Sequence, residues 1–176
     1  MKSLRSFNIS SKAFQSTKSF ELTELEALET VEIGENCFYS ASSFSLIDLP
    51  LLQSVKLGDN AFRVAKSFAM SNLTSLQSIE FGQNCFNGAS SFSLIDLHQL
   101  QSVKLGYRAF RNTGSFVMSN LTSLQSIDIG QSCFYSASSF SLIDLSLLQS
   151  VKLGDEAFRN TGSFAVSNLT SLVSIE

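Results

Sequence analysis

Every 24 residues this chain starts the same phrase again. Aligned on Leu4, Leu28, Leu52, Leu76, Leu100, Leu124, Leu148 and Leu172, the blocks run close to L-x-S-[VI]-x-[LI]-G-x-x-[AC]-F. Each then continues through S-F-x-[LM]-x-[DN]-L. Self-similarity at a fixed period predicts a solenoid, in which each repeat is one coil and touches mainly its neighbours. The 176 residues read as one repeat domain over 1–176, with a partial coil beginning at Leu172.

The coil from Leu52 shows how one repeat is expected to fold. Leu52, Val55 and Leu57 have the inward spacing of a short strand. Gly58 is read as the residue that permits a bend, and Asp59-Asn60 is turn chemistry. Ala61-Phe62 returns inward. Ser67-Phe68-Ala69-Met70 alternates with period two and predicts a second short strand. No segment holds ten residues of helical periodicity. The expectation is therefore mostly β, with at most single helical or 3₁₀ turns near Asn72–Leu76.

These residues resemble the leucine-rich repeat superfamily. Leu52, Val55 and Leu57 match its L-x-x-L-x-L core, and Asn72 to Ile79 matches N-L-x-x-L-x-x-L. The G-x-x-A-F elements at Gly58–Phe62, Gly106–Phe110 and Gly154–Phe158 are similar to the BspA-like subgroup of surface repeat proteins. The chain departs in repeat length, in its extra Ser-Phe element, and in replacing part of the usual Asn turn with G-x-x-A-F. The resemblance implies a curved leucine-rich-repeat solenoid. A parallel β-sheet would line one side, with turns and short 3₁₀ or helical segments on the other. It also implies an extracellular or cell-surface setting and a binding role, and it transfers no catalytic residue.

Fourteen of the 16 phenylalanines fall in two columns, Phe14 to Phe158 and Phe20 to Phe164, each stepping by 24. Stacked at strand spacing, such rings form a continuous core. Cys37, Cys85 and Cys133 share a third column in alternate coils, where Ala61, Ala109 and Ala157 take the other places. Two coils separate these sulfurs by ~10 Å, too far for a disulfide. They read as small buried side chains.

A 48-residue couplet lies within the 24-residue phrase. Outward on the first strand, Asn8 is followed by Glu32, Lys56, Glu80, Lys104, Asp128, Lys152 and Glu176. Acid and base alternate at every coil, and opposite charges across neighbouring strands attract by ~0.2–1 kcal/mol. Beside them run a glutamine column (Gln53 to Gln149) and a serine column (Ser54 to Ser174). This polar face is either a recognition surface for a protein or glycan or a ladder whose members satisfy one another. Tyr39, Tyr107, Tyr135, Arg63, Arg108, Arg111 and Arg159 are the side chains that break its regularity near the turns.

Catalytic chemistry has little to stand on. The one histidine, His98, reads as a turn residue, and no triad, histidine metal cluster or phosphate loop is visible. The expectation is a non-enzymatic protein without cofactor or metal. A net charge of −3 with dispersed Lys and Arg argues against a nucleic-acid footprint. No apolar run reaches membrane-spanning length, and no signal peptide shows at the start. Sequons occur at Asn8, Asn72, Asn120 and Asn168. They are glycan acceptors if the chain traverses a eukaryotic secretory pathway, or else turn chemistry copied with the repeat.

Both ends keep the apolar strand spacing. Leu4, Arg5, Phe7 and Ile9 form one edge; Leu172, Val173, Ile175 and Glu176 form the other. Neither carries a distinct cap. Either capping coils lie outside this stretch, or copies stack head to tail into an open filament by strand addition. Lys2, Arg5, Lys12 and Lys18 at one end against Glu176 at the other favour the second expectation.

Overall fold

The computed structural model describes residues 3–176, so Lys2 lies outside the described residues. The chain winds as a parallel solenoid with a strand on each of two faces in every coil. The first face carries β1 (Ser6–Ile9), β3 (Thr30–Ile33), β5 (Ser54–Leu57) and β7 (Ser78–Phe81). It continues through β9 (Ser102–Leu105), β11 (Ser126–Ile129), β13 (Ser150–Leu153) and β15 (Ser174–Ile175). These pair in sequence as one eight-stranded sheet. Register is strictly coil to coil: Val55 pairs with Val31 and Ile79, and Ile127 with Val103 and Val151.

The second face is also built of strands: β2 (Ser19–Thr23), β4 (Ser43–Ile47), β6 (Ser67–Ser71) and β8 (Ser91–Ile95), then β10 (Ser115–Ser119), β12 (Ser139–Ile143) and β14 (Ser163–Ser167). The Ser-Phe element is thus a strand in every full coil. The ladder is interrupted once, between β6 and β8, leaving sheets of three and four strands. The rings of Phe68 and Phe92 still stack across the interruption at 5.5 Å.

The expected 3₁₀ or helical segments are absent among the described residues. Near Asn72–Leu76 the chain makes one turn, in which the Leu76 N–H donates to Leu73 O at 3.2 Å. Asn72 sits at φ 55°, and this left-handed residue breaks any right-handed run. The next N–H groups go to the previous coil instead, as when Gln77 donates to Gln53 O at 2.8 Å.

Corners are made by left-handed residues in three columns, among them Asn60, Phe62 and Asn72 in the third coil. None is glycine. Asn and Asp tolerate this region readily; phenylalanine does not. Yet all seven Phe of the first column, Phe14 to Phe158, hold φ of 50–55°. Each left-handed residue costs ~1–2 kcal/mol. Burying the ring returns ~1.5–3 kcal/mol, and aromatic contacts add ~0.5–1.5 kcal/mol per pair. Rings stack parallel within a column, as for Phe62 and Phe86 at 5.6 Å and 4°. Between columns they meet edge to face, as for Phe92 and Phe110 at 4.8 Å and 74°.

The glycine that follows each first-face strand from β3 to β13 has a different role from the bend read in the sequence. No glycine has a positive φ. Instead, a Cβ on Gly58 would lie 2.6 Å from Glu35 N, inside the backbone of the preceding coil. The corner is tight because coils touch there backbone to backbone, and only a missing side chain permits it.

Candidate functional site

On the first face, alternate side chains point inward and outward. Val55 and Leu57 are buried while Lys56 is exposed. The outward column therefore places Asn8, Glu32, Lys56, Glu80, Lys104, Asp128 and Lys152 side by side in paired strands. Adjacency has not made a chain of ion pairs. Among the described residues of this column only Lys56 and Glu80 come within reach, at 4.0 Å, with both side chains more than half exposed. Such a contact is worth ~0–1 kcal/mol. The charges of the face are directed at solvent, and the glutamines Gln53, Gln77, Gln101, Gln125 and Gln149 beside them are exposed.

The acid–amide column at the far corner pairs in couplets. Asn72 Nδ2 donates to Asp48 Oδ1 at 2.7 Å, Asn120 to Asp96 at 2.6 Å and Asn168 to Asp144 at 2.5 Å. Alternating Asn with Asp thus supplies a donor for each carboxylate. The following threonines are also engaged, since Thr74, Thr122 and Thr170 hydroxyls donate to the carbonyls of Pro50, His98 and Ser146. Three of the four sequons therefore sit in a hydrogen-bonded turn, with both side chains committed to the preceding coil. Asn8 instead accepts from the Ser6 hydroxyl at 3.1 Å on the first strand.

The cysteines are free, buried and two coils apart. Each thiol donates to a backbone carbonyl of the previous coil: Cys37 to Ser10 O at 3.0 Å, Cys85 to Gly58 O at 3.3 Å and Cys133 to Gly106 O at 3.0 Å. Burial pushes the Cys133 thiol up to about 12 and raises Cys85 further. These are unreactive thiols by environment. Among the described residues, no group of His, Cys, Asp and Glu is placed to hold a metal ion, and no helix is long and apolar enough to cross a membrane.

At the first edge, Leu4, Phe7 and Ile9 are half-buried against the core, while Arg5 forms an ion pair with Glu29 of the next coil. At the other, Leu172 is half-buried, whereas Val173 is 85% and Ile175 44% exposed. β15 holds its register on β13, with Val151 opposite Ile175. The structure adds two residues that the sequence reading left out of the edges, Phe14 and Phe164, at 56% and 63% exposure. They are the outermost rings of the two columns, which is the signal that could have marked them.

The turn residues that break regularity cluster as cation–aromatic contacts. Arg63 lies over Tyr39 at 5.7 Å, Arg108 over Tyr107 at 4.6 Å, and Arg111 and Arg159 over Tyr135 at 4.8 and 5.7 Å. His98 is exposed at its turn.

The family model for the BspA type leucine rich repeat region, in 6 copies, matches residues 7–115 and 55–176. No curated protein and no solved structure matches the chain.

Proposed function

The chain belongs to the BspA-type leucine-rich repeat family, and from that premise we propose that it is a non-enzymatic scaffold whose eight-stranded face recognises a protein or glycan partner. One observation carries this reading. The outward charges from Glu32 to Lys152 are held in register, yet among them only Lys56 and Glu80 approach to 4.0 Å. Their charge is left for a partner rather than spent between neighbours. Among the described residues, no group of His, Cys, Asp and Glu on this face is placed to hold a metal ion. The test is binding of the chain to arrays of acidic, neutral and sulfated glycans and of extracellular-matrix proteins. It is repeated with Lys56, Lys104 and Lys152 all changed to Glu. Loss of the binders in that variant, but not in one altered at Ser93 on the opposite face, supports the reading. Binders indifferent to the face charge contradict it.

A second reading, head-to-tail assembly, is favoured by the exposure of Val173 and Ile175 on the open side of β15. A second copy's β1, paired there in the same register, would set the neutral Asn8 beside Glu176 and so avoid a like-charge contact. Phe164 and Val166 on β14 are exposed as well. Electron microscopy of the purified chain at micromolar concentration tests it. End-to-end polymers that disappear with Ile175→Lys support assembly, and discrete monomers throughout exclude it.

A further inference from the structure

The 48-residue couplet breaks at one corner. The column after the left-handed Phe reads Gln15, Tyr39, Arg63, Asn87, Arg111, Tyr135, Arg159. Where a ring belongs between two arginines, the fourth coil has Asn87. The next column changes at the same coil, with Gly88 in place of the serines Ser40 and Ser136. Tyr135 shows what the regular arrangement does, since Arg111 and Arg159 both pack against its ring. At Asn87 the ring is gone. Arg63 packs instead on Tyr39 and Arg111 on Tyr135.

What remains is an open notch of about 270 Å³ lined by Arg63, Val64, Lys66, Asn87, Gly88 and Asn112. It adjoins the one place where the second-face ladder is interrupted, just before β6 and β8. No carboxylate lines it. Among the described residues, neither Arg63, Lys66 nor Arg111 has an acidic partner within 4.0 Å, although Arg5, Lys56 and Arg159 do. Gly88 makes room for the lysine, whose Nζ would lie 3.2 Å from a Cβ placed there. Asn87 Oδ1 accepts from Asn112 Nδ2 at 2.8 Å, which leaves the Asn87 amide nitrogen as a donor. At the border, Arg111 Nε is buried without an acceptor.

Two cations, amide donors and no acid, gathered where the repeat gives up its ring, are the chemistry that holds an oxyanion. We propose that this notch binds a phosphate or sulfate group, free or carried on a glycan. The inference goes beyond the face reading and does not depend on it, because the notch lies on another corner of the coil. The chain itself shows how to close it: Asn87→Tyr with Gly88→Ser restores the couplet already carried by Tyr39-Ser40 and Tyr135-Ser136.

Titration with inorganic phosphate, inorganic sulfate and a heparin-derived tetrasaccharide, followed by amide shifts, tests the proposal. The expected result is shifts centred on residues 63–66 and 87–88, weakened at least about tenfold by the restoring pair and by Lys66→Ala. Tighter binding of the tetrasaccharide than of either ion assigns a glycan-borne group; equal binding assigns a free ion. Absence of binding by all three probes at millimolar concentration overturns the proposal. So does equal binding by wild type and the restoring pair. Should that pair unfold, Lys66→Ala alone decides.

Discussion

Phe110 sits at φ 52° in a region that bulky side chains avoid, and the same strain recurs at its equivalents in every full coil. It persists because the ring is buried between Phe86 and Phe134 at 5.0 and 5.5 Å, with Phe92 edge-on at 4.8 Å. Removing a central ring therefore costs a cavity within a stack. Phe92→Ala is expected to lose ~3–5 kcal/mol by chemical denaturation; a loss under ~1 kcal/mol would mean that the ring is not packed as described. Gly106 marks the opposite demand, for space. Its Cβ would lie 2.7 Å from the carbonyl carbon of Gly82, so Gly106→Ala is expected to destabilise by ~1–3 kcal/mol or more. A neutral result would refute the backbone contact. The columns themselves were legible in the sequence. The reason for each glycine was not, because it depends on the neighbouring coil rather than on the local turn.

The thiols give a pH dependence at the same scale. Burial holds Cys133 neutral to about 12, against 9.0 for an ordinary thiol. Above 9.0 the unfolded chain releases this proton while the folded chain keeps it, so the unfolded state binds fewer protons. Stability from this source is intact below 9.0 and falls as pH rises towards about 12, by up to ~1.4 kcal/mol per pH unit. Cys133→Ala imitates Ala109 and Ala157 in the neighbouring coils. It is expected to flatten the alkaline fall in urea midpoint; an unchanged slope would show that the thiol ionises freely in the fold.

Among the elements, the first-face strands followed from L-x-x-V-x-L, and the second from the alternation in Ser67–Met70. The 3₁₀ turns expected near Asn72–Leu76 did not appear. Propensity there is overruled by the left-handed Asn72 and by amides that reach the preceding coil. The ladder of alternating charge was readable as a pattern, and its register is as the period requires. How little of it closes into contacts was not readable, since side-chain reach rather than strand spacing decides that. A double-mutant cycle at Lys104 and Asp128 measures the point. Coupling below ~0.5 kcal/mol is expected for exposed neighbours that do not bind one another. Coupling above ~1 kcal/mol would make the ladder a structural device and remove the basis for a recognition face.

For the whole molecule, repetition makes the exceptions informative. A chain that copies 48 residues so closely departs from the copy at Asn87 and Gly88, and uncovers apolar side chains mainly in its outermost coils. The departure at 87–88 was present in the sequence but has meaning only beside Arg63, Lys66 and Arg111, which the fold brings to one corner. At this scale the central proposal is that the eight-stranded face is the surface that meets a partner. The measurement closest to that claim compares array binding by wild type with that of the chain in which Lys56, Lys104 and Lys152 are all glutamate. Because the change sets acids opposite one another on neighbouring strands, which repel, chemical denaturation first establishes that the variant is folded, and the wild-type binders are then expected to be lost. Retention of every binder by the folded variant would contradict it.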